Sequence, residues 1–348
     1  MKLRIAPSPT GKLHIGNART ALFNWLYAKA NNGTFLVRID DTDTERSTEE
    51  FKNDIIENFK WLGIDWDEGV EIGGPHGEYK QSLRFDRYQE VAEQLLSEGL
   101  AYEDDGAIRF KVPEDGSIDF KDYVRGEMSF NLSDVEDFVI LRSDKSPTYH
   151  LASTVDDIDY GVTIIARGED ILSSTPKHIL IMKALKSELP EFCHLPLLFG
   201  PDGKKLSKRH GDTSVEAFRD KGILQEAMFN YLCLLGWSPG NDLEKFDSEL
   251  AVEKFDLHNV LPNSAIFDEK KLLWLNGLYI RSTIDEDFEK TEDDRVKELV
   301  HEELKGFFRP EFLNRIDEIV VFRKLTKPDI KEIASIMLDS LKERLLSK

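Results

Sequence analysis

The sequence predicts an α/β fold: a parallel sheet with crossover helices, a short β-rich insertion, and a helical region after it. Three observations predict this. Strand and helix patterns alternate closely from Arg4 to Gly63. Residues 107–147 change to short strand patterns, and residues 214–280 are mostly helical in period.

Each element has its own signal. Arg4-Ile5-Ala6 reads as a short buried strand that ends in a Pro/Gly turn. Ala18, Ala21, Leu22, Trp25 and Leu26 recur at helical spacing, and Asn31-Asn32-Gly33 stops that helix. Phe35 to Ile39 is a second strand, and Thr48 to Leu62 a second amphipathic helix followed by Gly63. Ligands of such sheets sit at the C-terminal ends of strands. The first strand-to-helix turn, which carries His14, is therefore the expected nucleotide position. Ala107 to Pro113 and Phe138 to Arg142 are strand-like, with polar turns expected between them. Strand and helix return from Tyr149 to Leu189, and Ala227 to Leu235 and Glu269 to Leu275 are apolar-periodic. Residues 282–295 are acidic and read as a linker. Val296 to Leu304, a strand-like Glu318 to Phe322 and a helix from Lys327 to Leu346 follow.

Composition narrows the class. A chain of 348 residues has room for two or three domains. It is 40% hydrophobic and 32% charged, as expected of a soluble protein with real cores. No apolar run reaches about 18 residues, so no membrane span or membrane partner is expected. Met1 to Ile5 enters a strand directly, without the pattern of a signal or transit peptide. Cys193 and Cys233 make neither a disulfide framework nor a zinc cluster and suit a reducing cytoplasm, the expected location. The net charge of -20 counts against general nucleic-acid binding, though a local basic patch is what matters.

Two motifs carry the chemistry. In Pro7-Ser8-Pro9-Thr10-Gly11-Lys12-Leu13-His14-Ile15-Gly16-Asn17, glycines allow close backbone approach at a helix N-terminus, which favours anions. His14 can donate to a phosphate oxygen; the plainer reading is a turn with a surface histidine. Lys205-Leu206-Ser207-Lys208-Arg209 follows a turn-rich loop and places compact cations where a leaving pyrophosphate could gather charge. The plainer reading there is a solvated basic loop. No GxxxxGK[ST] occurs, which argues against a Walker-type NTPase. Arg38-Ile39-Asp40-Asp41-Thr42-Asp43 sets carboxylates at a strand end, to hold a substrate ammonium or to cap and turn the chain. Arg167, in Arg167-Gly168-Glu169-Asp170, could grip a carboxylate or form a surface ion pair.

In this order the pieces resemble class I aminoacyl-tRNA synthetases, and within them bacterial-type glutamyl-tRNA synthetases, over roughly residues 1–281. Pro7 to Asn17 resembles their HIGH motif and Lys205 to Arg209 their KMSKS loop. Trp61-Leu62-Gly63, Pro147 to Ala152, Val155-Asp156-Asp157, Asn230 to Trp237 and Leu272 to Gly277 add to the likeness. The resemblance implies a Rossmann-type doubly wound sheet and a glutamate–tRNA ligase using ATP and Mg2+, with no zinc and no metal held by protein ligands. It implies catalytic roles for His14, Gly16, Lys205 and Lys208. It implies glutamate contacts for Arg4, Ala6, Ser8, Asp40, Tyr149, Ser153 and Arg167. ATP contacts would fall on Pro9, Thr10, Gly11, His14, Gly16, Asn17, Lys205, Ser207 and Lys208. Asp40 stands where many members have Glu, and Ser153 where some have Asn. The partners implied are L-glutamate and tRNA-Glu, with the chain acting as a monomer.

The resemblance divides the chain into catalytic halves at 1–102 and 148–213, a shortened connective insertion at 103–147, and a helical stem-contact region at 214–281. Two departures stand out. Glu103-Asp104-Asp105-Gly106 replaces the family's helical acceptor-binding insertion, and no anticodon-binding pattern follows Arg281. After the linker at 282–295, residues 296–348 resemble the end of the second ATPase module of Clp-type AAA+ unfoldases, with Arg315 at the arginine-finger position. Such a tail would give weak contact with a AAA+ unfoldase. Two alternatives stay open: a paralogue that glutamylates queuosine on tRNA, and a non-catalytic fusion chain.

Overall fold

A computed structural model describes residues 1–207, 211 and 213–282. Lys208, Arg209, the acidic linker from residue 283 on and the AAA+-like segment lie outside the described residues. Residues Met1–Tyr279 form a compact unit.

Strand β1 (Lys2–Ile5) pairs in parallel with β2 (Thr34–Val37), in register from Lys2↔Thr34 to Ile5↔Val37. Helix α1 (Ile15–Ala30) crosses between them and is buried along most of its length. It is therefore apolar on nearly every face, as befits a helix packed between the sheet and other helices. Helix α2 (Glu49–Trp61) begins at Thr48, whose hydroxyl accepts from the Phe51 N–H at 3.2 Å, with Glu49 and Glu50 in the first turn. It ends at Gly63, whose φ of 76° suits a glycine past a helix C-terminus.

The main sheet continues with β3 (Glu68–Gly69), β9 (Ile164–Gly168), β10 (Glu191–Leu195), β6 (Ser117–Asp122) and β7 (Gly126–Asn131). Its order is β3-β2-β1-β9-β10-β6-β7, parallel except for the antiparallel β6–β7 pair. From β1 the chain steps outward to β2 and β3, then returns to β9 on the other side of β1. That reversal opens a crevice beyond the C-terminal ends of β1 and β9, the place where open α/β sheets bind ligands. Both faces are covered. Phe35 and Val37 enter one core while Leu36 enters the other; Ile164 and Ala166 likewise oppose Ile165. Helices α3 (Phe85–Ser97), α4 (Tyr149–Asp159) and α5 (Thr175–Ala184) cover the second face.

The insertion is richer than polar turns between two strands. Strands β4 (Ala101–Asp104), β5 (Ala107–Phe110) and β8 (Phe138–Leu141) form a separate antiparallel sheet. Asp105 and Gly106, at φ 50° and 79°, close the β4–β5 hairpin directly. The β6–β7 hairpin, expected to be turns, adds to the main sheet through the Asp122↔Phe192 pairing. Its strands alternate polar and apolar residues, Ile118 and Phe120 in β6 and Met128 and Phe130 in β7, a period-2 signal that the reading as turns passed over.

Short pairs β11 (Leu198–Phe199) and β12 (Ala265–Ile266) tie the loop after β10 to the helical region. That region contains α6 (Val215–Asp220), α7 (Gln225–Leu234), α8 (Ser248–Lys254) and a helix at residues 269–282. Phe23 of α1 meets Phe255 with ring centroids 5.0 Å apart. Phe23→Ala should cost about 3–5 kcal/mol in urea unfolding, as a fully buried ring lost from a packed core. Leu83→Ala, at a site 61% exposed, should change stability by about 0.5 kcal/mol or less.

Candidate functional site

The loop after β1 and the end of β9 border a cavity of about 590 Å³ at the switch point. Arg4, Ala6, Ser8, Thr10, His14, Gly16, Asn17, Asp40, Tyr149, Ser153, Arg167, Lys205 and Ser207 all line it. Residues more than 200 positions apart thus meet on one surface, as the two motifs required. Gly11 lies instead on an adjoining cavity of about 740 Å³, which shares Ser8, Thr10, His14 and Asn17 with the first. Pro9 lines neither cavity; its carbonyl accepts from the Thr48 N–H at 3.1 Å and ties the turn to α2. Lys208 falls outside the described residues. Asp170, of the Arg167-Gly168-Glu169-Asp170 segment, also lines the first cavity, as do Arg19, Thr20, Ile171 and Leu197, which belong to no motif read from the sequence. The helical spacing of Asn17 and Thr20 was the available signal for that part of α1.

The first motif caps its own helix. His14 is the N-cap of α1, and its Nδ1 accepts from the Gly16 N–H at 3.1 Å. In the neutral ring this places the proton on Nε2. The segment following the second motif is laced to the first: Ile15 N–H donates to Thr213 O at 3.1 Å and Val215 N–H to Leu13 O at 2.9 Å. Leu206 N–H donates to Leu198 O at 2.8 Å, which holds the loop's start to the cavity wall. Lys205 Nζ meets Asp170 Oδ2 at 3.0 Å, with side chains 57% and 46% exposed. So exposed a pair contributes about 1 kcal/mol or less, and a phosphate can displace it.

Below the cavity lies a buried ion network. Arg38 grips Asp40 with Nε at 2.6 Å and Nη2 at 3.0 Å, while its Nη1 donates to Asp157 at 2.9 Å. Arg4 holds Asp157 from the other side with two bonds of 3.0 Å. Asp156 accepts from Arg84 at 2.9 Å, Gln81 at 2.8 Å and Tyr88 at 2.9 Å. Burial opposes the Asp157 charge, but Arg4 and Arg38 outweigh it and hold the carboxyl below its ordinary value. At Asp40 burial wins over Arg38, and the carboxyl is pushed up to about 6. Asp41, its neighbour, faces away and accepts from the Ser82 N–H and hydroxyl, both at 2.8 Å.

Arg167 is built differently. It is 4% exposed, so it makes no surface ion pair. Nε donates to His194 Nε2 at 3.1 Å, Nη1 to His178 Nδ1 at 3.0 Å and Tyr149 OH at 3.3 Å, and Nη2 to Thr175 Oγ1 at 2.8 Å. Among the described residues no carboxylate pairs with it. Burial holds its pKa below the ordinary value, which marks a cation short of a counter-charge. One Nη2 hydrogen of Arg167 and both Nη1 hydrogens of Arg4 have no partner among the described residues, and both side chains line the cavity. The arrangement suits a small ligand with a carboxylate. Among the described residues no group of three or more His, Cys, Asp or Glu side chains could hold a metal ion.

The chain matches the family of tRNA synthetases class I (E and Q), catalytic domain, over residues 1–107 and 104–274. The two pieces meet at the Asp105-Gly106 turn. It is 46% identical to a glutamate–tRNA ligase of Carboxydothermus hydrogenoformans over 326 residues, covering 81% of this chain and 68% of that protein. A glutamate–tRNA ligase of Desulforamulus reducens is 45% identical, covering 81% and 67%. The chain thus spans about two thirds of the length of these curated relatives. The crystal structure of a glutamate tRNA ligase from Elizabethkingia meningosepticum in complex with its amino acid superposes with a TM-score of 0.78 at 32% identity, covering 85% of this chain and 73% of that one. Fold, cavity and these relatives agree: the chain belongs to the class I tRNA synthetases for glutamate and glutamine, on the side of the glutamate–tRNA ligases.

Proposed function

We propose that the cavity activates glutamate with ATP and passes the glutamyl group to the 3′ end of tRNA-Glu in the cytoplasm. Arg167 carries the reading. A buried guanidinium with only neutral partners is completed by a ligand carboxylate, with Arg4 Nη1 as second donor. Asp40, at the same cavity, takes the substrate ammonium. The α-carboxylate oxygen then bonds to the α-phosphorus of ATP and pyrophosphate leaves. A terminal ribose hydroxyl of tRNA next attacks the carbonyl of the adenylate, and AMP leaves. His14 Nε2–H and the α1 N-terminus face the phosphates, and Lys205 and Lys208 take up the charge of the departing pyrophosphate. Mg2+ neutralises phosphate charge and travels with ATP, a role that needs no protein cage.

Residues 214–281 are assigned to contact with the tRNA stem. The short β4–β5 turn removes acceptor-binding surface, so adenylate formation and tRNA charging call for separate assays. Glutamate-dependent exchange of pyrophosphate into ATP, with tRNA supplied, tests the first step. Transfer of radiolabelled glutamate to tRNA, by this chain and by one ending at Arg281, tests the second. Absence of both activities with glutamate would overturn the reading. Arg167→Leu should raise the glutamate KM by roughly 100-fold, the cost of removing a desolvated charge partner. Asp40 must be ionised to hold an ammonium, so kcat/KM for glutamate should fall as the pH drops through about 6. A flat profile down to pH ~5 would remove Asp40 from that role.

A further inference from the structure

Arg167 sits in a cradle that orients it without neutralising it. A guanidinium only donates, so each imidazole nitrogen facing it must be a lone pair. For His178 this puts the proton on Nε2, which lies 3.3 Å from His150 Nδ1 and donates to it. For His194 it puts the proton on Nδ1, which donates to Asp122 Oδ2 at 2.6 Å. Both rings are therefore neutral. Burial agrees: it holds His178 and His194 below the ordinary histidine value, and with Lys177 and Arg167 it pushes His150 down to about 4. Asp122 is thus kept one imidazole away from Arg167. It is otherwise occupied by the N–H groups of Val124 and Arg125 at 3.0 and 2.9 Å. His178 and His194 are fully buried and do not line the cavity.

We infer that His178 and His194 are positioning residues that set specificity: as neutral acceptors they fix Arg167 and leave its charge for the ligand, so the pocket takes a side-chain carboxylate and rejects a carboxamide. The inference rests on the reading of the cavity as a glutamate site. A carboxylate in the cradle would satisfy Arg167 internally and remove most of the advantage of glutamate over glutamine. A neutral acceptor leaves that advantage intact. A carboxamide also turns a donor group toward a donor-only guanidinium, which costs an unpaired hydrogen bond.

The pair His178→Asn and His178→Asp tests this, because the two side chains share a shape and differ by one charge. The Asn oxygen accepts where Nδ1 did. Glutamate binding is measured by calorimetry on the full chain, and glutamine binding by competition. His178→Asp should weaken glutamate roughly 30-fold and change glutamine by about threefold or less. His178→Asn should recover most of the glutamate affinity. Thr175→Asp against Thr175→Asn reads the same charge from the other edge if His178→Asp does not fold. An Asp variant that keeps the wild-type preference overturns the inference. So do paired variants that lose both ligands equally, since that is structural damage. Wild-type protein that fails to bind glutamate overturns the parent reading as well, whereas an Arg167-dependent wild type with an unchanged Asp variant overturns only the cradle.

Discussion

Arg38 is the side chain on which the cavity floor depends. It is fully buried just past the end of β2, at a depth where an unpaired cation is untenable. Three carboxylates answer it: Asp40 from its own segment, and Asp156 and Asp157 from α4. Burial would lower its pKa, but these carboxylates hold it well above the ordinary value. Asp157 is then shared with Arg4 of β1, and Asp156 with Arg84. The network joins β1, β2 and α4, elements far apart in the chain. It fixes Arg4, Asp40 and Ser153 at the cavity edge; Ser153 accepts from Arg38 at 3.2 Å.

The contrast with Arg167 gives the site its electrostatic direction. Arg38 is balanced by its carboxylates and presents no free charge to a ligand, while Arg4 and Asp40 of the same network keep atoms at the cavity edge. Arg167, a few residues from the switch point, is paired only with neutral groups. Two cationic donors and Asp40 lining one cavity suit a ligand that is acidic at its tip and cationic at its α-nitrogen. A balanced floor provides rigidity and the unbalanced arginine provides selectivity. The phosphate side works by softer means: an exposed Lys205–Asp170 pair, a capped helix and a lysine loop.

Much of this was legible in the sequence. The strand–turn–helix around His14 and the Arg38-Ile39-Asp40 and Arg167-Gly168-Glu169-Asp170 segments announced themselves by local pattern. What stayed hidden depends on distant pairing. Asp122 lies 72 residues before His194, and only the pairing of β6 with β10 brings the two together. His178 sits on a helix that is apolar on most faces, where a histidine reads as core. Arg19 reads as one more α1 residue, yet it donates to the Leu235 carbonyl at 3.2 Å and joins the motif helix to the helical region. Pro9, expected beside the nucleotide, ties the turn to the start of α2 through its carbonyl, a long-range link that no local pattern announces.

The central claim is that Arg167 is an incomplete ion pair that the substrate side chain completes. A crystal structure of this protein soaked with glutamate tests it most directly. The account predicts the side-chain carboxylate within hydrogen-bond distance of Arg167 Nη2 and Arg4 Nη1, with the amino group toward Asp40. A bound glutamate whose side-chain carboxylate rests elsewhere, with Arg167 still meeting only His178, His194, Tyr149 and Thr175, would contradict it.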